Sequence, residues 1–405
     1  MNKKPVLMWL SDSPMTTTGY SNMSVKILNG LSDEYEIHYN AHNYVGQPIP
    51  PGLKLADGTT LNFWIHGNGR APYCSDLLIP RIKKLQPDAF GILLDTFMTY
   101  PWILSQNFSP AKTFFYYPSD GGGGLPQGCE AVLKHMHSSV AMAKFGRDQV
   151  KRVHGFDTNY IPHAVDHKLF CPATTEQKSR IRSELVVQTV SGQLIKGGLQ
   201  NKFVVGVVAR NQSRKMLDRT IKSFKIFCKD KPNAILYMHN DPMDAAAIFD
   251  IRFLINREGL TNRVVFSPIK YYENFDYKDM PKVYQAMDLF LLTTSGEGFG
   301  VPIIEAMSCS IPVIASDYTT TPELIINDHP PCGIAVPLSC ELTGSWVVER
   351  GIMNDDKCAE ALTELYNNEF KRKAMGVNGV SKVAKYYSWD VVIPQWRKYI
   401  RELIQ

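Results

Sequence analysis

Short apolar runs alternate with segments of helical period along most of the chain. Residues 6–10, 89–94 and 113–117 are mostly apolar runs, and 35–39 (YEIHY) and 138–142 (SSVAM) are further strand-like runs with polar residues among them. Between several of them, 21–31, 76–85 and 144–153 carry apolar residues every three or four positions. Runs of the first kind suit strands buried on both faces, and segments of the second kind suit amphipathic helices that cover them. Strand-helix alternation predicts a parallel sheet with helices on both sides. The rhythm breaks over 172–202, which holds a charged helical piece (176–185), Ser191-Gly192 and Gly197-Gly198. That stretch is expected to connect two domains, extended by a small insertion. The alternation then restarts. Strands are expected at 203–209, 234–238, 264–266, 289–292 and 312–315. Helices are expected at 216–228, 245–258, 281–286, 301–308 and 322–326. Two successive units of this kind predict two doubly wound α/β domains, with ligands beyond the carboxyl ends of the strands.

Composition narrows the class without naming a ligand. The chain has 405 residues, with 44% apolar and 20% charged side chains, as expected of a folded globular protein. Lys plus Arg number 44 against 39 Asp plus Glu, and this excess is too small to signal nucleic acid or anionic lipid. The eight cysteines include no C-x-x-C pair, which suits buried thiols in a reducing compartment. Met-Asn-Lys-Lys-Pro leads directly into the first apolar run, which is too short for a secretion signal. No stretch approaches the ~18 apolar residues of a membrane span. The expectation is a cytoplasmic protein, with peripheral membrane contact left open.

The densest candidate chemistry lies in 293–323. A strand ends near Leu292, followed by Ser-Gly-Glu-Gly-Phe-Gly (295–300) and a helix starting near Val301-Pro302. Proline suits a first helical turn, and the glycines let backbone approach a ligand. Free N–H groups at the helix start can receive phosphate oxygens, so Gly298, Phe299, Gly300 and Val301 are candidate donor-binding residues. Glu297 and Glu305 are poor phosphate ligands and good acceptors for sugar or ribose hydroxyls.

Seven residues separate Glu297 from Glu305, and the whole string resembles the E-x7-E signature of family 4 glycosyltransferases. The flanks extend the resemblance: Tyr284-Gln-Ala-Met-Asp288 before it, and Ser310-Ile-Pro-Val-Ile-Ala-Ser-Asp317 with Pro322-Glu323 after it. The resemblance implies a GT-B fold, two Rossmann-like doubly wound domains facing across a cleft. It implies a retaining transfer of a sugar from a UDP- or GDP-linked donor to a hydroxyl acceptor. Glu297 would contact the transferred sugar and Glu305 the nucleotide ribose.

The loop of 204–215, VVGVVARNQSRK, matches the family's spacing of an arginine and a lysine five positions later. Arg210 and Lys215 would clamp the donor diphosphate, where charge develops as it leaves. Arg214 is an additional cation. In the first half, a strand, a small-residue loop with Thr18-Gly19-Tyr20, and a helix stand where the family has a richer glycine loop near the donor phosphates, so Gly19 is a donor-side candidate. The family places a histidine at the end of the strand that reads FFYYPSDGGGG here (114–124); Ser119-Asp120 takes its place, and Asp120 is the candidate sugar contact or a turn-forming residue. His163, in YIPHAVD (160–166), reads as structural.

No histidine-carboxylate group has zinc spacing and no D-x-D string is present, so no metal is expected, nor any cofactor beyond the sugar-nucleotide substrate. The expected domains are 1–172 on the acceptor side, 173–385 binding the nucleotide sugar, and a helix of 386–405 returning to the first. The acceptor is not readable. A sugar-nucleotide epimerase or hydrolase, or a non-catalytic sugar-nucleotide-binding protein, remain alternatives.

Overall fold

The computed structural model describes residues 3–16, 18–270 and 275–405. Thr17, in the expected small-residue loop before Gly19, lies outside the described residues. The chain divides into two compact units. The first comprises Met1–Ala164, Gly344–Val348 and Trp389–Gln405; the second comprises Val165–Thr343 and Glu349–Ser388.

In the first unit the strands are β1 (Val6–Ser11), β2 (Glu36–Ala41), β3 (Trp64–His66), β4 (Ala89–Leu93), β5 (Lys112–Tyr117), β6 (Ser138–Ala141) and β7 (Asn159–Tyr160). They form one parallel sheet in the order β3-β2-β1-β4-β5-β6-β7. The reversal of strand order beside β1 is that of the Rossmann fold, and it leaves a ligand crevice at the carboxyl ends of β1 and β4. Every residue of β1 is buried, as a strand covered on both faces requires.

The C-terminal helix, Trp389–Ile404, belongs to this unit. Its Trp396 is fully buried, with its ring 4.9 Å from Tyr116, 6.0 Å from Phe114 and 6.1 Å from Trp9. Gly91 in β4 makes this aromatic layer possible, because a Cβ there would lie 2.4 Å from Phe114 and 2.8 Å from Trp9. Arg397 adds hydrogen bonds to Glu34 at 2.7 Å and Asp33 at 2.9 Å. Those ion pairs are half-exposed and worth at most about 1 kcal/mol each. The aromatic burial dominates, since truncating a buried Trp costs about 3–5 kcal/mol.

In the second unit the strands are β8 (Val186–Thr189), β9 (Leu194–Lys196), β10 (Phe203–Val208), β11 (Ala234–His239), β12 (Val264–Phe266), β13 (Leu289–Leu292), β14 (Val313–Ser316) and β15 (Gly333–Val336). The sheet order is β9-β8-β12-β11-β10-β13-β14-β15. Its parallel part repeats the order of the first unit, with β10 in the place of β1. Gly206 in β10 is required by packing: a Cβ there would lie 2.0 Å from Met287 Sδ. Helix Leu217–Phe227 turns Leu217, Ile221, Phe224 and Phe227 into the core that also holds Val205, Val207 and Leu236.

The charged helical piece expected at 176–185 is present as helix Thr175–Glu184, opened by a Thr174–Gln177 capping box. Two expectations need correction. The rest of 172–202 is more than a connection with a small insertion: it forms the antiparallel hairpin β8–β9, which extends the second sheet. The helix expected over 245–258 begins only at Ile251, because Asp250 caps it by accepting from the Phe253 N–H. Beyond β15 the pattern missed an antiparallel pair, β16 (Leu338–Thr343) with β17 (Glu349–Met353), and the helices Asp355–Asn367 and Glu369–Tyr386.

Candidate active site

The second unit gathers polar groups at the carboxyl ends of β10 and β13. Beyond β13, small hydroxyl residues tie the loop to its surroundings. Ser295 N–H donates to the Arg214 carbonyl at 2.7 Å, and Thr294 Oγ1 to the same carbonyl at 3.1 Å. Ser316 Oγ donates to Thr294 O at 2.7 Å, and Thr320 Oγ1 to the carbonyls of Glu297 and Phe299 at 2.9 Å. The Glu297 N–H donates to Thr319 Oγ1 at 3.0 Å. Gly300 adopts φ 102°, a left-handed conformation that suits glycine, and starts helix Val301–Ser308 with a proline in its first turn. Phe299 is buried against the Tyr387 ring, whereas Gly298 and Val301 are partly exposed.

Glu297 is nearly inaccessible, and its carboxylate closes an ionic triad. Lys215 Nζ donates to Oε1 at 2.6 Å and Arg214 donates to Oε2 at 2.9 Å. Burial alone would raise its pKa. The two cations and their hydrogen bonds overcome this and hold it at about 2. Glu297 is therefore a carboxylate at every physiological pH.

Glu305 lies inside the helix and differs in kind. No cation pairs with it among the described residues; Tyr284 Oη donates to Oε2 at 2.6 Å and Tyr277 Oη to Oε1 at 3.2 Å. Burial pushes its pKa up to about 7, and the two tyrosines only partly oppose this. Phe170 packs on both tyrosine rings.

Arg210 points elsewhere than Lys215. Its guanidinium binds Asp244 through two hydrogen bonds, 2.5 and 3.1 Å. That fork holds the Asp244 carboxyl below the usual range, chiefly through the hydrogen bond from Arg210. Thus Lys215 and Glu297 come together, Arg214 joins them, and Arg210 is engaged with a residue that sequence reasoning missed. Tyr284 stood in the sequence only as the first residue of a flanking string, and Tyr277 and Asp244 were not singled out; each acts through a partner at least 21 positions away.

The other two candidates lie in the first unit. Gly19 opens helix Gly19–Asn29, whose cap is Thr18 accepting from the Ser21 N–H; a Cβ on Gly19 would meet nothing within 4 Å. Thr18 also donates to Asp12, which His42 Nε2 approaches at 2.7 Å. Asp120 follows β5 and lines a small pocket with Asp95, Thr96, Phe97 and Ser119. His163 is fully enclosed, hydrogen-bonded to Tyr116 Oη at 2.8 Å, and burial depresses its pKa to about 3. It is a neutral core residue. Among the described residues no three His, Cys, Asp or Glu side chains group to hold a metal, and no helix is long and apolar enough to cross a membrane.

Comparison with known proteins gives this geometry a context. Residues 195–382, just under half of the chain, match the family model described as "Glycosyl transferases group 1". That segment holds Arg210, Arg214, Lys215, Glu297 and Glu305. The chain is 27% identical over 240 residues to a GDP-mannose-dependent monoacylated alpha-(1-6)-phosphatidylinositol monomannoside mannosyltransferase of Corynebacterium glutamicum, covering 58% of the chain and 53% of the relative. It is 27% identical over 212 residues to the capsular polysaccharide biosynthesis glycosyltransferase CapM of Staphylococcus aureus, covering 50% and 48%. The chain thus spans about half the length of these curated relatives.

Solved structures resemble the chain over nearly its full length. Sucrose-phosphate synthase from Thermosynechococcus elongatus superposes with a TM-score of 0.71 at 16% identity, over 99% of each chain. HepE from Anabaena, in complex with UDP and glucose, superposes with a TM-score of 0.73 at 15% identity, over 98% of this chain and all of the other. At such identities the likeness speaks for the fold alone. The fold is GT-B, and residues 195–382 carry the match to glycosyl transferases of group 1.

Proposed function

We propose that the protein is a retaining glycosyltransferase of the family 4 type, which moves a sugar from a nucleoside diphosphate to a hydroxyl acceptor. The observation that carries this reading is Glu297, buried and ionised at the end of β13 between Lys215 and Arg214. A carboxylate held negative in a dry site stabilises positive character as it grows on an anomeric carbon. In the same step Lys215, with Arg210, neutralises the charge that collects on the leaving diphosphate. The acceptor oxygen–C1 bond forms on the face from which the C1–phosphate oxygen bond breaks. The acceptor proton passes to the departing phosphate oxygen, so no separate protein base is needed.

The backbone N–H groups at Gly298, Phe299, Gly300 and Val301 suit the donor phosphates, and Glu305 suits the ribose. Gly19 and Asp120 serve the first unit's side of the reaction: Gly19 through the open space at a capped helix start, Asp120 through its pocket. We assign donor binding to the C-terminal domain (173–385) and the acceptor side to the N-terminal one (1–172), joined by 386–405. A relative that uses GDP-mannose and a structural neighbour that binds UDP support a UDP- or GDP-linked donor. Eight free thiols support a cytoplasmic location.

The test is a titration of UDP and GDP, followed by a screen of their sugars against hydroxyl acceptors. A glycosylated product with the donor's anomeric configuration is expected. Glu297→Gln should lower single-turnover rate more than donor affinity. Release of free sugar or an epimerised nucleotide without any glycosylated product would replace the reading with a hydrolase or epimerase.

A further inference from the structure

We infer that Thr319 and Thr320 are positioning residues for Glu297: their two hydroxyls grip both polar groups of its backbone, and Thr319 holds a strained conformation to do so. The reaction in which Glu297 takes part rests on the glycosyltransferase reading; the grip itself does not.

Three consecutive threonines, 319–321, follow β14. Their hydroxyls have separate tasks. Thr319 Oγ1 accepts from the Glu297 N–H at 3.0 Å, and Thr320 Oγ1 donates to the Glu297 carbonyl at 2.9 Å. Thr320 Oγ1 also reaches the Phe299 carbonyl at 2.9 Å. Thr321 Oγ1 serves its own loop and turns back to the carbonyls of Ser316 and Tyr318.

The backbone of Thr319 is unfavourable for its side chain. Its φ is 52°, in the left-handed region, where a β-branched residue is an outlier. Thr319 and Thr320 are the central residues of a turn closed by the Thr321 N–H, which donates to the Tyr318 carbonyl at 3.3 Å. A positive φ at the first central position ordinarily calls for glycine. Among the described residues Val347 is the only other β-branched residue with a positive φ, and it stands in the turn joining β16 to β17. Glycine at 319 would satisfy the turn without strain and would offer the Glu297 N–H no acceptor. The hydroxyl is what threonine adds. Strain of this kind persists where the surroundings over-determine it, and here they do. The Asp317 N–H donates to the Val336 carbonyl at 2.7 Å, and Tyr318 Oη to the Glu349 carbonyl at 2.9 Å. A Cβ on Gly351 would lie 2.8 Å from Tyr318 Cγ, so that ring lies flush on β17.

The grip does what Lys215 and Arg214 cannot. Those cations keep the carboxylate ionised, but their side chains are long and can follow it. The backbone contacts fix where Glu297 itself stands. Catalytic geometry tolerates shifts of about 0.5 Å, and a misplacement of about 1 Å costs on the order of 10²-fold in rate. The two threonines also differ. Thr319 Oγ1 bonds Glu297 alone, whereas Thr320 Oγ1 also holds Phe299, in the stretch proposed for the donor phosphates. Losing the first hydroxyl should slow turnover and spare nucleotide affinity; losing the second should reduce both.

The experiment compares Thr319→Ser, Thr319→Ala, Thr319→Gly and Thr320→Val in the full chain. Amide hydrogen exchange at Glu297, followed by NMR without ligand, reads the grip. Titration of UDP and GDP and single-turnover consumption of UDP-glucose and GDP-mannose read its consequence. The Glu297 amide is expected to exchange about tenfold faster in Thr319→Ala and Thr319→Gly, and near the parent rate in Thr319→Ser. Single-turnover rate is expected to fall about tenfold in Thr319→Ala and Thr319→Gly, with UDP and GDP affinities within about twofold of the parent. Thr319→Ser should restore most of that rate, and Thr320→Val should lose both rate and affinity. Thr319→Gly should melt above Thr319→Ala, because both lack the hydroxyl and only glycine is unstrained at this φ. Rate and stability then part company, which a merely structural role would not produce. Unchanged Glu297 exchange or unchanged rate in Thr319→Ala, a Thr319→Ser variant as slow as Thr319→Ala, or a loss of UDP and GDP affinity as large as the loss of rate would overturn the inference. A parent that binds neither nucleotide and consumes neither donor would overturn the glycosyltransferase reading instead, with amide exchange still deciding the grip.

Discussion

Lys215 Nζ lies 2.6 Å from Oε1 of Glu297, 82 positions away in the chain, and Arg214 closes the other carboxylate oxygen. The lysine thus neutralises the carboxylate assigned to the sugar and stands in the pair assigned to the diphosphate. Its loss has two separable effects. Lys215→Ala leaves a buried carboxylate with one cation, and should cost about 3 kcal/mol in stability. It should also weaken UDP or GDP by about 1.5–3 kcal/mol. Thermal unfolding and calorimetric titration measure the two independently. A variant as stable as the parent would mean that the triad is not closed in solution.

The Arg210–Asp244 fork predicts variants of opposite sign. Without ligand, Asp244 holds the guanidinium proposed for the diphosphate, so binding must exchange one partner for another. Asp244→Asn removes the competing charge and keeps an acceptor for the Ala246 N–H. It should tighten nucleoside diphosphate by about 0.5–1 kcal/mol, the worth of a partly exposed ion pair. Arg210→Ala should weaken it. Weakening in both variants would show that Asp244 positions Arg210 for the ligand and does not compete with it.

Glu305 predicts a pH dependence in the neutral range. Its folded pKa, about 7, lies above the ordinary 4.5, so between these values the folded protein keeps a proton that the unfolded chain has lost. The associated stability is full below about pH 4.5 and is lost as pH rises through about 7. The span amounts to about 3 kcal/mol. Glu305→Gln should flatten the stability profile between these limits in denaturant titrations at stepped pH. If the carboxylate accepts ribose hydroxyls, nucleotide affinity should rise over the same interval in the parent and not in the variant. A parent profile without a step there would refute the raised pKa.

Metal dependence tests how the leaving charge is neutralised. With Arg210 and Lys215 assigned to it, turnover should persist in excess EDTA, measured as product formed from a UDP- or GDP-linked sugar. Complete loss, restored by a divalent cation, would reassign that neutralisation to a metal.

The elements most legible in the sequence are those whose environment is uniform. Strands β1, β5, β10 and β13 are buried on both faces, so their apolar runs need no partner to be recognised. The hairpin β8–β9 was missed because it forms the sheet edge; all three residues of β9 are exposed and carry no alternation. β3 is three residues long and contains His66, too short for any period to show. The helix expected from residue 245 starts six positions later, since Asp250 is its cap and Asp244 is tied to Arg210.

For the site, the sequence by itself determined the residue types and their local frame. It put Glu297 in a glycine-bracketed loop before a helix, Glu305 one turn inside that helix, and three cations after one strand. Tertiary structure decided what each group is. Two glutamates eight positions apart reach pKa values of about 2 and about 7 because one meets Lys215 and Arg214 while the other is buried with tyrosine hydroxyls and, among the described residues, no cation. Likewise nothing local distinguishes Arg210 from Arg214, yet one binds Asp244 and the other Glu297. The physical reason is range. Backbone geometry follows from neighbours within a few residues, whereas ionisation follows from charges, dipoles and desolvation within a few ångströms, and folding brings those from distant parts of the chain.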